Sequence, residues 1–301
     1  MENWLFFAVT GYLLLAVEAV IAKALLTKKV KSWQLFSFYV GLLSLSGVFF
    51  APFGLKWFGG FLFFESLIAG VIFYLALIFL YKSLEKSSAS RVFVLYGAIT
   101  TLASFILGHF LLKEDFLIIE LLGIALLVMG GFFISFKFYK KRLFSSYKNV
   151  IFAGILMALA LIVMKDVYDR QNFITGYVFS RIGVFLSALG LLLSSRFREV
   201  IKQSFSQKQK KISQRNFGLV VGAKTIAGIG TFLVNYSISL GSVVLINALV
   251  SIQYLFTFVL ATLAAIFFKN FVREKITWMN LFLKLVGVGS IIAGIFLINS
   301  N

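Results

Sequence analysis

The chain has 301 residues, of which 60% are hydrophobic and only 13% charged, with a mean hydropathy of +0.98. Soluble domains carry roughly 25% charged residues, so this chain could not cover a water-facing exterior and its surplus apolar surface must meet lipid. The formal charge of +18 does not point to nucleic acid, because the cations crowd into short gaps between apolar runs. With no cysteine and one histidine, thiolate and histidine metal sites are ruled out as an organising feature.

A helix needs about 20 apolar residues to cross the hydrocarbon core. Runs of that length fall at 4–26, 33–53, 62–81, 89–112 and 116–136, then at 147–168, 173–194, 217–240, 243–268 and 278–298. The first run lacks a basic leader and a small-x-small cleavage site and is followed by TKKVK, so it is expected to be a retained helix. The whole predicts an all-α integral membrane protein of ten transmembrane helices.

The two halves are alike. Within the first two spans, an offset of 142 superimposes Lys23 on Lys165, Tyr39 on Arg181 and Gly41 on Gly183. At an offset of 164, LLGIALLVMGGFFI of the fifth span matches LVGVGSIIAGIFLI of the tenth, pairing Gly123 with Gly287 and Gly130 with Gly294. The larger offset reflects the longer gap SSRFREVIKQSFSQKQKKISQRN. Five spans per copy is an odd number, so the second copy enters from the opposite side: two inverted five-helix repeats, residues 1–140 and 147–301. Such repeats are common in secondary transporters.

The stretch ASRVFVLYGAITTLASFILGHFLLKEDFLIIELLGIALLVMGG resembles the fourth and fifth helices of the EamA family of the drug/metabolite transporter (DMT) superfamily. SISLGSVVLINALVSIQYLF and VREKITWMNLFLKLVGVGSIIAGIFLI resemble the same unit repeated. The recurring marks are a small-Ser-x-Val start (Ala89 to Val92, Gly241 to Val244), an acid after the fourth helix of each copy (Glu114, Glu274) and the glycine pair that follows. The resemblance covers almost the whole chain and implies a transporter with a central cavity lined by helices one, three, four, six, eight and nine. It departs from the family where helix four often holds prolines: Val94 and Thr100 stand there, and Pro52 is the single proline. Kinks in helices four and nine therefore cannot come from proline.

Cations sort by loop. About 21 Lys/Arg lie in the odd-numbered loops, against about 4 in even loops and termini, a bias that puts the odd loops in the cytoplasm and both termini outside. The family resemblance implies the opposite, with both termini inside; the charge asymmetry is followed here. The basic loops are expected to rest against anionic lipid headgroups.

Glu18 stands deep in the first span, where a central charge costs roughly 2.5–3.5 kcal/mol. Lys23 is five residues on, about 140° around a helix, so the two do not share a face. Lys23 is near the span's end and reads as a snorkelling anchor. Glu18 has two readings: a permanent ion pair with Arg181 or Lys224, or a titrating carboxylate that binds a proton or a cationic substrate. Arg181 likewise reads either as a helix-end guanidinium reaching water or as an anion site. Tyr74, Tyr96, Thr100, Thr101, Asn235, Asn247, Gln253 and Tyr254 complete the candidate substrate-binding set. Each has the alternative of bonding a neighbouring helix. His109 and Glu120 are expected to serve local structure, and Gly123, Gly130, Gly287 and Gly294 to permit close helix packing. GAKTIAGIG lacks the Gly-Lys-Ser/Thr ending of a phosphate loop.

These features suggest a secondary active transporter or exporter of small organic metabolites, amino-acid-like or drug-like, in the cytoplasmic membrane. It would work by alternating access, driven by a proton gradient or by exchange, without cofactor or catalytic residues. The alternatives are a non-transporting membrane scaffold or sensor, and a membrane enzyme acting on lipid-linked substrates. Substrate, direction of transport and oligomeric state are not written in the sequence.

Overall fold

The computed structural model describes residues 3–25, 33–86, 89–135, 146–206, 214–267 and 278–299, and every regular element among them is helical. In chain order these are α1 (Asn3–Leu25), α2 (Trp33–Ser44), α3 (Gly60–Lys86), α4 (Ala89–Leu111), α5 (Ile118–Ser135) and α6 (Tyr147–Arg170). There follow α7 (Phe173–Gly190), α8 (Ser195–Ser206), α9 (Gln214–Leu240), α10 (Val243–Ala248), α11 (Val250–Phe267) and α12 (Trp278–Asn299). Two 3₁₀ segments extend helices: Leu45–Phe53 continues α2 and Leu191–Leu193 continues α7.

Seven stretches are long and apolar enough to cross a membrane, among them Asn3–Ile21, Gly60–Lys86, Tyr147–Arg170 and Val243–Ala264; Leu95–Leu111 and Ile118–Ile134 are shorter apolar helices. Large apolar side chains such as Phe49, Phe64, Phe110, Ile118 and Phe296 stand exposed on these helices, as a lipid-facing surface requires. The chain is an all-α, multi-pass membrane protein.

It divides into two compact units that are interleaved in sequence. One holds α1, α5 and α9 to α12; the other holds α2, α3, α4, α6, α7 and α8. Each unit therefore draws helices from both 1–140 and 147–301, because packing follows contact in space rather than order along the chain.

In the first unit α1 runs antiparallel against α9. Ser237 Oγ donates to the Trp4 carbonyl at 2.9 Å near one end, a Cβ on Gly11 would meet the Gly230 carbonyl oxygen at 2.9 Å midway, and Glu18 pairs with Lys224 further on. α5 and α12 pack through the glycines picked out in the sequence. A Cβ on Gly130 would lie 2.8 Å from the Gly287 carbonyl oxygen and one on Gly287 would lie 2.9 Å from that of Gly130. Gly123 and Gly294 face each other in the same way, at 3.0 and 2.8 Å. The flanking contacts are reciprocal too: Gly123 meets Ile298 while Gly287 meets Ile134, residues equivalent at the 164 offset. A pair in which residue i meets the equivalent of j, and j the equivalent of i, is locally two-fold. Small residues are required there because the two backbones touch.

The ninth apolar run is broken, and no proline breaks it. α10 ends at Ala248 and α11 begins at Val250. The Ile246 carbonyl, at the break, accepts the Tyr12 hydroxyl of α1 at 2.8 Å. A side chain inserted into the i→i−4 ladder is an established cause of a kink. α10 is capped at its start by Ser242, whose Oγ accepts from the N–H groups of Val244 and Leu245 and donates to Glu114 at 2.6 Å. Ser242 and Glu114, separate marks of the family resemblance, are thus hydrogen-bond partners.

In the second unit α3 carries α6 on one side and α7 on the other. The α3 and α7 backbones are in close contact, since a Cβ on Gly183 would overlap the Leu67 carbonyl and one on Gly70 the Ser180 carbonyl. The segment after α7, expected as a loop, instead contains α8. Phe197 and Ile201 of α8 are buried against Phe38, Trp33 and Leu42, while Arg198, Glu199 and Lys202 are exposed. That is the pattern of an amphipathic helix, hydrophobic on the face that docks onto α2. Lys23 belongs to α1, but its side chain lies outside the described residues. So do Lys28, Lys29, Lys31, the 137–142 cations, Lys269, Arg273, Glu274 and Lys275.

Candidate functional site

The N-terminus of α7 is fixed before its functional side chains are reached. Asn172 Oδ1 accepts from the Thr175 N–H at 2.9 Å, and Asn172 Nδ2 donates to the Gly54 carbonyl at 2.6 Å. Thr175 Oγ1 accepts from the Lys56 N–H at 2.9 Å, and Gln171 Nε2 donates to Ser66 Oγ at 3.0 Å. These bonds tie the start of α7 to the turn before α3 and to α3 itself. A helix so held presents its side chains at a defined depth.

Arg181 stands at the midpoint of α7 and is 7% exposed. The reading of it as a guanidinium snorkelling to water does not hold. Its stem packs against Gly47, where a Cβ would lie 2.6 Å from Arg181 Cγ, and its carbonyl accepts from Ser44 Oγ at 3.1 Å. The guanidinium carbon lies 4.6 Å from the ring centre of Tyr177, one turn back on α7, and 5.0 Å from that of Phe73 on α3. Tyr177 in turn meets Phe50 edge to face. Cation–π contacts of this kind are worth roughly 0.5–2 kcal/mol. They act through ring faces and do not satisfy the in-plane N–H donors. Nε and Nη2 of Arg181 are buried with no hydrogen-bond partner among the described residues. A buried donor left unpaired costs about 1–3 kcal/mol, and more when charged.

Among the described residues, the other buried side-chain atoms without a partner are Tyr74 Oη, Thr100 Oγ1 and Gln171 Oε1. All belong to the second unit. Tyr74 and Thr100 occupy the midpoints of α3 and α4, as Arg181 does of α7. The Tyr74 ring packs with Ile78, Val184 and Ala188 and touches the Cα of Gly41 closely enough that a Cβ there would meet it at 3.0 Å. Tyr74 and Arg181 therefore share the α3–α7 seam. Thr100 lies by Gly154 of α6, and Thr101 is buried beside it. Tyr96 packs against the cluster of Leu80, Val92, Val150 and Ala153. The α4 candidates are thus on the α6 side of their unit, away from α7.

In the first unit no candidate has a buried side-chain N or O atom left without a partner among the described residues. Glu18 Oε1 accepts from Lys224 Nζ at 2.6 Å, one of the two ion pairs read from the sequence; Arg181 is not its partner. Asn235 Nδ2 donates to the Thr231 carbonyl of its own helix at 2.8 Å. Tyr254 packs on Gly131, whose Cβ would meet its ring at 3.2 Å, and Gln253 is half-buried beside it. Asn247 is buried in α10 next to the helix break.

Sequence reasoning missed several groups. Tyr12 gave no signal, since a tyrosine in an apolar run reads as filler. Phe73 and Tyr177 were missed as the walls around Arg181, although Tyr177 is four residues before it and so shares its face. Lys284, buried in α12 with its ammonium 4.1 Å from the Phe258 ring centre, was also passed over. At one end of α6, Arg170 bridges Glu65 at 2.5 Å and Asp166, while Lys165 pairs with Asp169 at 2.8 Å. Glu120 does serve local structure: its Oε2 accepts from the Leu117 N–H at the start of α5. His109 is exposed at the end of α4 against Phe110. Among the described residues no group of His, Asp and Glu is placed to hold a metal ion.

No family model matches the chain, and no curated protein matches it in sequence. Among solved structures it is similar to a protein crystal structure at 13% identity and a TM-score of 0.71, over 99% of each chain. The fold is therefore one that an experimentally determined protein shares from end to end.

Proposed function

We propose that the chain is a secondary transporter of small organic solutes in the cytoplasmic membrane, of the EamA type within the DMT superfamily. Its ten crossings would be two inverted repeats, and it would work by alternating access. The observation that carries this reading is the pair of unsatisfied polar groups at mid-span on the α3–α7 seam of the second unit, Tyr74 Oη and the Arg181 edge, with Thr100 Oγ1 unpaired apart from them on the α6 side. A scaffold gains nothing from leaving such groups unpaired in hydrocarbon, where each costs free energy; a carrier needs them for its cargo. The broken ninth run supports the reading, because discontinuous helices at membrane depth recur at transporter sites. The locally two-fold, antiparallel α5–α12 pair supports inverted duplication. Chemistry on lipid-linked substrates usually calls for clustered acids or histidines, and among the described residues no such group is placed to hold a metal ion.

The test is flux. The purified chain in proteoliposomes should exchange at least one labelled amino acid, aromatic acid or amine from a metabolite panel under an imposed pH or solute gradient. Absence of flux for every solute under every gradient would return the scaffold reading.

A further inference from the structure

We propose that the Nε–Nη2 edge of Arg181 is a bidentate anchor for a planar oxyanion, and that the solute handled at this site carries a carboxylate. The role of that solute as cargo rests on the transporter reading; the anchor itself does not.

A guanidinium offers two kinds of two-pronged edge, and one of them is formed by Nε–H together with the N–H of the terminal nitrogen beside it. Two parallel N–H donors of that spacing match the two oxygens of a carboxylate. The two Arg181 nitrogens without a partner are Nε and Nη2, an adjacent pair rather than a random two of three. Tyr177 and Phe73 hold the guanidinium carbon over their rings at 4.6 and 5.0 Å but supply no acceptor atom to Nε or Nη2, so the two donors of the fork stay without a hydrogen-bond partner among the described residues. Gly47 packs on the stem and Ser44 holds the Arg181 carbonyl, so the side chain enters from a rigid backbone.

Charge points the same way. Arg181 is 7% exposed and makes no ion pair among the described residues. Of the acids of α3 and α6, Glu65, Asp166 and Asp169 are occupied with Arg170 and Lys165 at the C-terminal end of α6, and Glu85 is exposed at the end of α3. A lone buried cation at mid-span is unfavourable until an anion arrives. The two aromatic walls favour an anion whose body is flat and apolar over a hydrated inorganic one.

The experiment uses the full chain purified in detergent, with benzoate and benzenesulfonate as probes. Benzamide and benzylammonium are the neutral and cationic isosteres, and chloride and acetate the controls for body and charge. Benzoate should raise the melting temperature saturably, and benzamide and benzylammonium should leave it unchanged. Arg181→Met should weaken the apparent benzoate affinity at least tenfold. Arg181→Lys, which keeps the charge and loses the fork, should weaken it by a similar factor and serves if the methionine variant does not fold. The proposal is overturned if no aromatic anion stabilises the wild type, if either variant responds as the wild type does, or if chloride alone saturates the effect. Flux separates the two readings. Benzoate binding with no solute carried would sink transport and keep the anchor; carriage of neutral solutes with no carboxylate binding or competition would do the reverse.

Discussion

Two mid-span charges in this chain have opposite fates. Glu18 and Lys224 neutralise each other at 2.6 Å, with side chains 16% and 34% exposed, whereas Arg181 is walled by rings and left with a free edge. The first arrangement is structural by its energetics: removing one partner strands the other charge in a poorly solvated place. Glu18→Gln and Lys224→Met should each lower stability by about 1–3 kcal/mol, and the double variant by clearly less than the sum, as a melting-temperature cycle in detergent would reveal. An additive result would mean the contact carries no coupling. The sequence offered two partners for Glu18 and could not choose between them, since both are more than 150 residues away and the choice is made by the α1–α9 pairing. For Arg181 the apolar run carried no clue to its surroundings. Snorkelling is available to a long side chain only near a helix end, and the run at 173–194 already put Arg181 close to its middle; the rings of Tyr177 and Phe73 that enclose it become known only from the packing of α3 on α7.

Among elements, the helices were legible and their interruptions were not. Hydrophobic length alone marks the runs. The break at Leu249 has no proline or glycine to announce it, and coincides with the Tyr12 hydroxyl, from a helix more than 200 residues earlier, donating to the Ile246 carbonyl. A residue that bends a distant helix leaves no local trace. Nor does the 3₁₀ winding of Leu45–Phe53, although Pro52 lies within it. α8 went unseen because a short amphipathic segment in a basic stretch resembles a solvated loop; only Phe197 and Ile201 meeting α2 makes it a helix with a docked face. The paired glycines of α5 and α12, by contrast, were visible because close approach demands a residue type that spacing can reveal. If Tyr12 holds the break, Tyr12→Phe should cost on the order of 1 kcal/mol by leaving a buried carbonyl short of a donor. Thermal unfolding should then show a fall of a few degrees, and an unchanged melting temperature would remove Tyr12 from that role.

At the scale of the whole molecule, ancestry and packing partition the chain differently. Sequence equivalence divides it near residue 140, while contact divides it into interleaved units that each mix helices from both halves. The proposed inverted duplication would reconcile the two. When the copies enter the membrane from opposite sides, equivalent helices run antiparallel, as α5 and α12 do, and can pack as partners. The charge rule predicts that the odd-numbered loops, which hold most of the Lys and Arg, face the cytoplasm. The chain contains no cysteine, so single introduced thiols report topology without background. Lys56 lies between the second and third spans, and Lys86 is the last residue of the third. Lys56→Cys should react with a membrane-impermeant maleimide in intact cells, while Lys86→Cys should react only after permeabilisation. The reverse pattern would put both termini in the cytoplasm, in keeping with the family resemblance and against the charge rule. Labelling of both sites from one side would break the alternation of crossings and with it the inverted repeat.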